Sequence, residues 1–440
     1  MIMLKRTFVG GLLGILAATA LLPLPALAQG MPATVDKPVT ITFYDYNLAS
    51  AGLGADGTKK LLAEFAAANP NIKVNAVGVP STDMTSRIQA DLVAGRGPDV
   101  AQVVFDGLAF VADNLGAEAL EDLVPADELK ADFDGMSKNG LQLGVIDGKT
   151  YALPFTFSTP VLFYNADLFK AAGLDPDKPP RSWAEVEADA LAIQQKTKAH
   201  GFDSGIVGAA ASGFDWLLQS VVLSNGGRTL SEDRKTLSFA EPPAVGAVAM
   251  LRHLHDAGVF DNNPSNTGIE NMGAGQLGMM LNTSALQRAL IAGAQGKFEL
   301  RAAAMPGFAD QPAVPTNSGS GLVILSSDPV KQRAAWELMK FLTSKRGYTI
   351  ITSEIGYLPL RTDIVNDPAY LGDWVKAHPL VQPNLDQLSR LQPWVAYPGQ
   401  NFRQIEKIMM DAMEQAVFGG ADVATTLKAA QDQAQGLMPN

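Results

Sequence analysis

Apolar residues recur along this chain with two different periods. Residues 40–46 alternate with period two, the mark of a strand with one buried face. Residues 58–68 place Leu61, Leu62, Phe65 and Ala66 at helical spacing, and Asn69-Pro70 stops that run. Residues 72–79 read as a second strand. Within 82–93, Met84, Ile88 and Leu92 stand at i, i+4 and i+8, which predicts an amphipathic helix. Gly95-Arg-Gly-Pro-Asp-Val100 then leads into a third strand over 100–105. Strand, helix, strand, helix, strand is the grammar of an open, mostly parallel α/β sheet with covering helices.

The middle of the chain carries denser signals. Asp147-Gly148 between β-prone flanks predicts a tight hairpin. Residues 159–165 are β-branched and aromatic, so they predict a strand. A short helix over 167–172 ends at Gly173, and Pro176, Pro179 and Pro180 forbid its continuation. Ser182-Trp-Ala-Glu185 is a capping box, because Ser182 and Glu185 each satisfy an orphan amide of the following helix. Helical patterns cover 183–197, 214–224, 241–257 and 328–344, with turns at 225–227 and 261–268 and a buried-type strand at 321–325. A helix pair over 402–418 and 423–437, hinged at Gly419-Gly420, closes the chain. No repeat and no Pro/Gly/Ser-rich linker divides it.

Composition adds a compartment. Residues 1–28 read as a secretory signal: Lys5 and Arg6, an apolar run over 7–22, and the small-x-small site Ala26-Leu27-Ala28. Pro23 and Pro25 break the run and argue against a membrane anchor. The chain has no cysteine, hence no disulfide, no thiolate metal site, no cysteine nucleophile and no lipid-modified cysteine. A cleaved, untethered protein is retained only between two membranes, which points to a periplasm. The net charge of −11 disfavours nucleic acid and anionic lipid as partners.

The run Asp147-Gly-Lys-Thr-Tyr-Ala-Leu-Pro154, then Ser158-Thr-Pro-Val-Leu-Phe-Tyr-Asn165 and Trp183, resembles the extracellular solute-binding proteins of bacterial ABC importers. The likeness is to the glycerol-3-phosphate and sugar-binding branch, whose members carry a similar Pro-Phe-x-x-Ser-Thr-Pro and Ala-Gly-Leu-Asp-Pro-x-x-Pro-Pro-x-x-Trp. It implies a two-lobed α/β fold, each lobe an open mostly parallel sheet with flanking helices and the ligand cleft between. Lobe 1 would comprise 29–155 and 318–356, and lobe 2 would comprise 156–317 and 357–440. Chain crossings would fall near 155–158, 315–319 and 356–359. The resemblance implies a monomer that takes a small-molecule solute, needs no cofactor, and docks on a permease with a separate ATPase subunit.

Carried over residue by residue, the resemblance assigns ligand contacts to Ser158, to Thr283 with Ser284 beside it, to Gly319 and to Tyr357. Three positions depart from the branch. A ligand-binding tyrosine falls at about Ser81, a glutamate falls on Phe105 with Asp106 next to it, and the phosphate-binding arginine falls on Glu406. Arg403 lies one turn earlier on the same helix face and supplies the charge in one reading; in the other it pairs with Glu406. Asp106, Arg403 and Trp216 therefore join the candidate ligand-binding set.

Other motifs are weighed against plainer roles. Gly52-Leu-Gly-Ala-Asp-Gly57 matches a dinucleotide pattern but is separated from its strand by 47–51, so it reads as a cleft-edge turn. Ser318-Gly-Ser-Gly321 lacks the first glycine of a nucleophile elbow and enters a strand, so it reads as backbone and hydroxyl contacts at a crossing. His253 and His255 point to different helix faces, and no metal site is expected. Trp183, Trp216, Trp394, Tyr46, Phe157, Tyr357 and Tyr397 are the candidate cleft aromatics, of which two or three are expected in the cleft. Trp336 and Trp374 are read as packing residues. The rival function is a secreted carbohydrate-active hydrolase using Asp45 and Asp106 as its carboxylate pair.

Overall fold

Among the described residues, eleven strands form two main sheets and one short hairpin. In chain order they are β1 (Val39–Asp45), β2 (Ile72–Gly78), β3 (Val100–Val104), β4 (Val145–Ile146), β5 (Lys149–Thr150), β6 (Leu153–Ser158), β7 (Pro160–Asn165), β8 (His200–Ser204), β9 (Leu277–Thr283), β10 (Leu300–Ala304) and β11 (Ser318–Ile324). The computed structural model describes residues 30–211, 214–309 and 311–439, and omits the side chain of Ser265. The secretory segment lies outside the described residues.

The first sheet has the order β2-β1-β3-β11-β6 and the second β10-β7-β9-β8. The α/β fold is the expected one, but the sheets are mixed rather than mostly parallel. β1 pairs in parallel with β2 and β3, whereas β11 runs antiparallel to both β3 and β6. In the second sheet only β8 and β9 are parallel. The physical reason lies in the connections. β1, β2 and β3 are joined by helical crossovers, which keep strands parallel. β7 and β11 are entered from the other main sheet, so their direction is set by where the chain crosses.

β6 stays in the first sheet through Ser158 and β7 joins the second at Pro160, so the chain changes sheets at Thr159. It returns between Ala304 and Ser318. Near the third predicted crossing, Leu358 donates its N–H to the Phe157 carbonyl at 2.9 Å, which docks that segment on β6.

Local signals set most element ends. Asp147 and Gly148 take φ of 48° and 82°, as a two-residue hairpin demands. The capping box at Ser182 and Glu185 opens helix Trp183–Thr197. Gly173, left-handed, ends helix Ala166–Ala172. Two readings need correction. Helix Leu53–Ala68 begins straight after Gly52, so Gly54 and Gly57 lie inside it and form no turn. Gly57 is needed for packing: a Cβ there would come within 2.4 Å of Ile355 Cγ1. The turn expected over 261–268 is shortened by helix Ser265–Gly273, which Pro264 precedes at the N-cap.

β7 is buried on both faces. Leu162 and Tyr164 join the main core, while Val161 and Phe163 join a second cluster with Met272, Leu277, Met280 and Leu290. A strand covered on both sides needs no polar alternation, which explains its continuous apolar run.

Candidate functional site

Five strand ends converge on one cavity. Tyr46 follows β1, Ser81 follows β2, Val104 ends β3, Ser158 ends β6 and Thr283 ends β9; all line a cavity of about 210 Å³. Ser318 and Gly319 enter it from the start of β11, and Phe214, Ala285, Tyr357 and Trp394 complete the wall. Ligands of open α/β sheets bind outside the carboxyl ends of strands for this reason: the loops that diverge there leave a crevice. A larger groove of about 990 Å³ runs between helices Phe402–Phe418 and Val423–Gln435, away from the strand ends.

The wall is held by hydroxyls. Thr283 Oγ1 donates to Ser158 Oγ at 2.6 Å, joining the two sheets directly. Beneath it, Gln102 Nε2 donates to Thr156 Oγ1 at 3.1 Å and to Ser320 Oγ at 2.9 Å. Tyr46 OH meets Thr156 Oγ1 at 2.7 Å, and Tyr46 N donates to Gln102 Oε1 at 2.9 Å. This fully bonded layer fixes the Tyr46 ring, because buried polar groups with satisfied partners have few alternative rotamers. Gly319 must be glycine: its φ is +114°, and a Cβ would stand 2.0 Å from the Thr156 carbonyl oxygen.

Of the predicted residues, Ser158, Thr283, Gly319 and Tyr357 come together on this wall. Ser284 does not. It is buried one step behind, where its Oγ accepts from Thr159 N at 3.3 Å and its N–H donates to Thr159 O at 3.0 Å. It clasps the crossing instead of facing the cavity. Trp216 also lies off the wall: it packs in the main core, and its carbonyl accepts from Thr316 Oγ1 at 2.6 Å. Of the seven candidate aromatics, Tyr46, Tyr357 and Trp394 reach the cavity, while Trp183, Phe157 and Tyr397 are core.

Asp106 and Arg403 stand behind the wall as a pair. Arg403 contacts Asp106 Oδ2 and lies 3.4 Å from Glu406 Oε2. Its guanidinium also stacks over Phe214, 5.6 Å from the ring centroid, and over Phe402. Asp215 joins this group: its carboxylate accepts from Trp394 Nε1 at 2.6 Å, Gln219 Nε2 at 2.8 Å and Tyr397 OH at 3.1 Å. Glu406 Oε1 accepts from Asp215 N at 3.2 Å. Three carboxyls therefore cluster near one guanidinium, which touches Asp106 and Glu406 but not Asp215. Burial raises Glu406, and the charges of Asp215 and Asp106 add to it, pushing it up to about 10 against the pull of Arg403. Burial likewise raises Asp106, with Arg403 opposing.

The hydrolase pair is not assembled. Asp45 is fully buried and off the cavity wall, its Oδ1 accepting from Leu48 N at 2.9 Å, and burial pushes it up to about 7. Asp106 faces Arg403. Glycoside hydrolysis needs two carboxyls flanking one bond, and neither lines the cavity.

Val104, Phe214 and Ala285 were missed as wall residues, and Ser81 was noted only as a departure. Val104, Ser81 and Ala285 each lie within three residues of a strand's carboxyl end, a signal that was available. Phe214 carries none; only tertiary packing brings it to the wall.

A two-sheet α/β body with a polar, aromatic cavity at converging strand ends defines a solute-binding protein. Residues 60–383 match the family model for bacterial extracellular solute-binding proteins, and the chain belongs to that family. It is 26% identical over 436 residues to a binding protein of Brucella abortus (strain 2308), covering 97% of this chain and 98% of that one. It is 27% identical over 353 residues to the sn-glycerol-3-phosphate-binding periplasmic protein UgpB of Escherichia coli (strain K12), covering 76% of this chain and 78% of that one. The fold is shared with the cyclic alpha-maltosyl-1,6-maltose binding protein of Arthrobacter globiformis, with TM-score 0.78, 24% identity, and coverage of 91% of this chain and 99% of that one. The protein is thus an extracellular solute-binding protein. Among the described residues no helix is long and apolar enough to cross a membrane.

Proposed function

We propose that the protein captures one small polar solute, of the sugar, polyol or glycerol-phosphate kind, in the cavity at the strand ends, and that it performs no chemistry. The observation that carries this reading is the Thr283–Ser158 hydrogen bond of 2.6 Å, where a hydroxyl from the end of β9 meets one from the end of β6. A ligand seated there bonds both sheets at once. Contacts complete only in a closed arrangement give that arrangement the higher affinity, so ligand shifts the population toward it. The moving bodies are the two lobes, residues 29–155 with 318–356 and residues 156–317 with 357–440.

Size narrows the ligand. At about 210 Å³ the cavity is smaller than the ~300–1,000 Å³ of sites for drug-sized molecules. A monosaccharide or short polyol suits it better than an oligosaccharide. Tyr46, Phe214, Tyr357 and Trp394 offer ring faces for the apolar C–H faces of such a ligand, and Ser81, Ser158, Thr283 and Ser318 offer hydroxyls. The mature protein begins at Gln29, carries no lipid because it has no cysteine, and works as a periplasmic monomer.

Mass spectrometry of small molecules released from freshly purified protein identifies the solute, and calorimetry with it gives one-to-one binding. Small-angle scattering at saturating solute shows a more compact particle; unchanged scattering overturns the closure. Intact mass of the exported protein reads the start at residue 29, and a retained leader or an acyl mass overturns that assignment.

A further inference from the structure

The eleven residues lining the cavity include no charged side chain. Two guanidiniums approach its edge from outside, and both are committed. Arg288 lies beside Gly356 and donates through Nη1 to the carbonyls of Ser353 and Glu354. Arg403 lies against the outer face of Phe214, pairs with Asp106 and leans on Glu406. Asp106 is itself 4% exposed, and apart from this ion pair its carboxylate oxygens have no hydrogen-bond partner. An anion placed in the cavity would therefore leave water without a free counter-charge, because the guanidinium behind the wall is already paired with Asp106. Burying an unpaired ion is among the costliest events in a protein interior, whereas hydroxyls are matched by the wall's own hydroxyls.

We propose that the site selects an uncharged polyhydroxy solute against its phosphorylated or carboxylated counterpart, and that Asp106 is the specificity-determining residue, because it captures the guanidinium that would otherwise attract the anion. This rests on the solute-binding reading of the same cavity. Asp106 acts through Arg403 and does not touch the ligand, so it is a positioning residue. Its loss changes the ratio of two affinities and not simply their common level. The pairing also joins parts of the chain far apart in sequence: Asp106 follows β3, and Arg403 sits in the first turn of helix Phe402–Phe418. Phe110 stacks on Phe402 beside it, with ring centroids 5.5 Å apart, which holds Arg403 within reach of Asp106.

The test is calorimetry on the full mature chain with matched pairs: glycerol and glycerol 3-phosphate, glucose and glucose 6-phosphate, galactose and galacturonate. Wild-type protein is expected to bind the uncharged member of at least one pair at least tenfold more tightly than the charged member. In Asp106→Asn the guanidinium is released, and that ratio falls at least tenfold. In Arg403→Gln no positive charge remains to release, and the preference for the uncharged member persists. The second variant keeps the test sharp if the first folds poorly. Tighter wild-type binding of the phosphorylated member overturns the proposal, as does a collapse of that binding in Arg403→Gln. Equal weakening of both members in Asp106→Asn, with the ratio unmoved, assigns Asp106 a merely structural part and also overturns it. If neither a member of these pairs nor any small molecule released from the purified protein binds, the solute-binding reading of the cavity fails, and the selectivity falls with it.

Discussion

Two partly buried ionic clusters of four groups each sit in this protein, and they are built on opposite principles. In the first, Glu128 and Glu337 face Arg333 and Lys340, two charges of each sign. Glu128 accepts from Arg333 Nη1 at 2.8 Å, Arg333 Nη2 at 3.0 Å, Lys340 Nζ at 2.8 Å and Trp336 Nε1 at 3.0 Å. Burial raises Glu128, but these donors outweigh it and pull the carboxyl down to about 2. In the second cluster Arg403, the one cation, touches Asp106 and Glu406, Asp215 joins through its N–H to Glu406, and Asp106 and Glu406 are driven upward. The balanced cluster ties helix Pro329–Leu342 to helix Ala126–Phe133 and needs no ligand to make sense. The unbalanced one stands directly behind Phe214 and Trp394, and its deficit of positive charge shapes what the cavity accepts. A structural ion cluster closes its own charge balance, whereas one beside a binding site sets the local field.

The clusters have opposite pH signatures. Glu128 has a lowered folded value, so its contribution is present above about 4.5 and is lost as pH falls toward about 2. Glu406 has a raised folded value, so its contribution is full below about 4.5 and is lost as pH rises toward about 10. The largest effect is expected from Glu128→Ala, which strands Arg333, whose side chain is only 8% exposed, with Glu337 alone. Urea unfolding at pH 7 should show a loss of about 3 kcal/mol. A loss below about 1 kcal/mol would remove the distinction between the clusters.

Next in size is Glu406→Gln, which should stabilise. At pH 7 the folded protein holds a proton on Glu406 that the unfolded chain has released, and an amide removes that penalty. The gain is present at pH 7, grows toward pH 9 and vanishes below pH 4.5. A destabilised variant, or a gain independent of pH, would contradict the unbalanced cluster. Arg403→Ala comes last. Its side chain is 36% exposed, so solvent screens the pair, and the loss is about 1 kcal/mol at pH 7. The loss should shrink at pH 5, where Asp106 takes a proton as pH falls through about 6. Thermal melts at the two pH values read this difference directly.

Much of this was legible in residue order, and the limit of legibility has a physical shape. The hairpin at Asp147-Gly148, the capping box at Ser182, the stop at Gly173 and the amphipathic helices all follow from bonds and clashes spanning a few residues. The choice of Ser158, Thr283, Gly319 and Tyr357 rests instead on the resemblance to the solute-binding family, carried over residue by residue. Ser284 and Trp216 failed as wall residues because a side chain's direction depends on what packs behind it. Ser284 turns to Thr159 of the crossing, and Trp216 turns into the core. Gly54 and Gly57 suggest a turn, but both lie in a helix, Gly54 beside Asn47 and Gly57 against Ile355.

Sequence alone determined the element types, the secretory leader as an expectation, the absence of cysteine chemistry and the membership of the solute-binding family, because each is written in short-range pattern or composition. Only the tertiary structure decided strand direction in the two sheets, the meeting of Thr283 with Ser158, the arrival of Phe214 on the cavity wall and the capture of Arg403 by Asp106. Those partners lie from tens to hundreds of residues apart. Their pairing has no local signature: it depends on where the chain crosses between sheets and on which charges burial brings together.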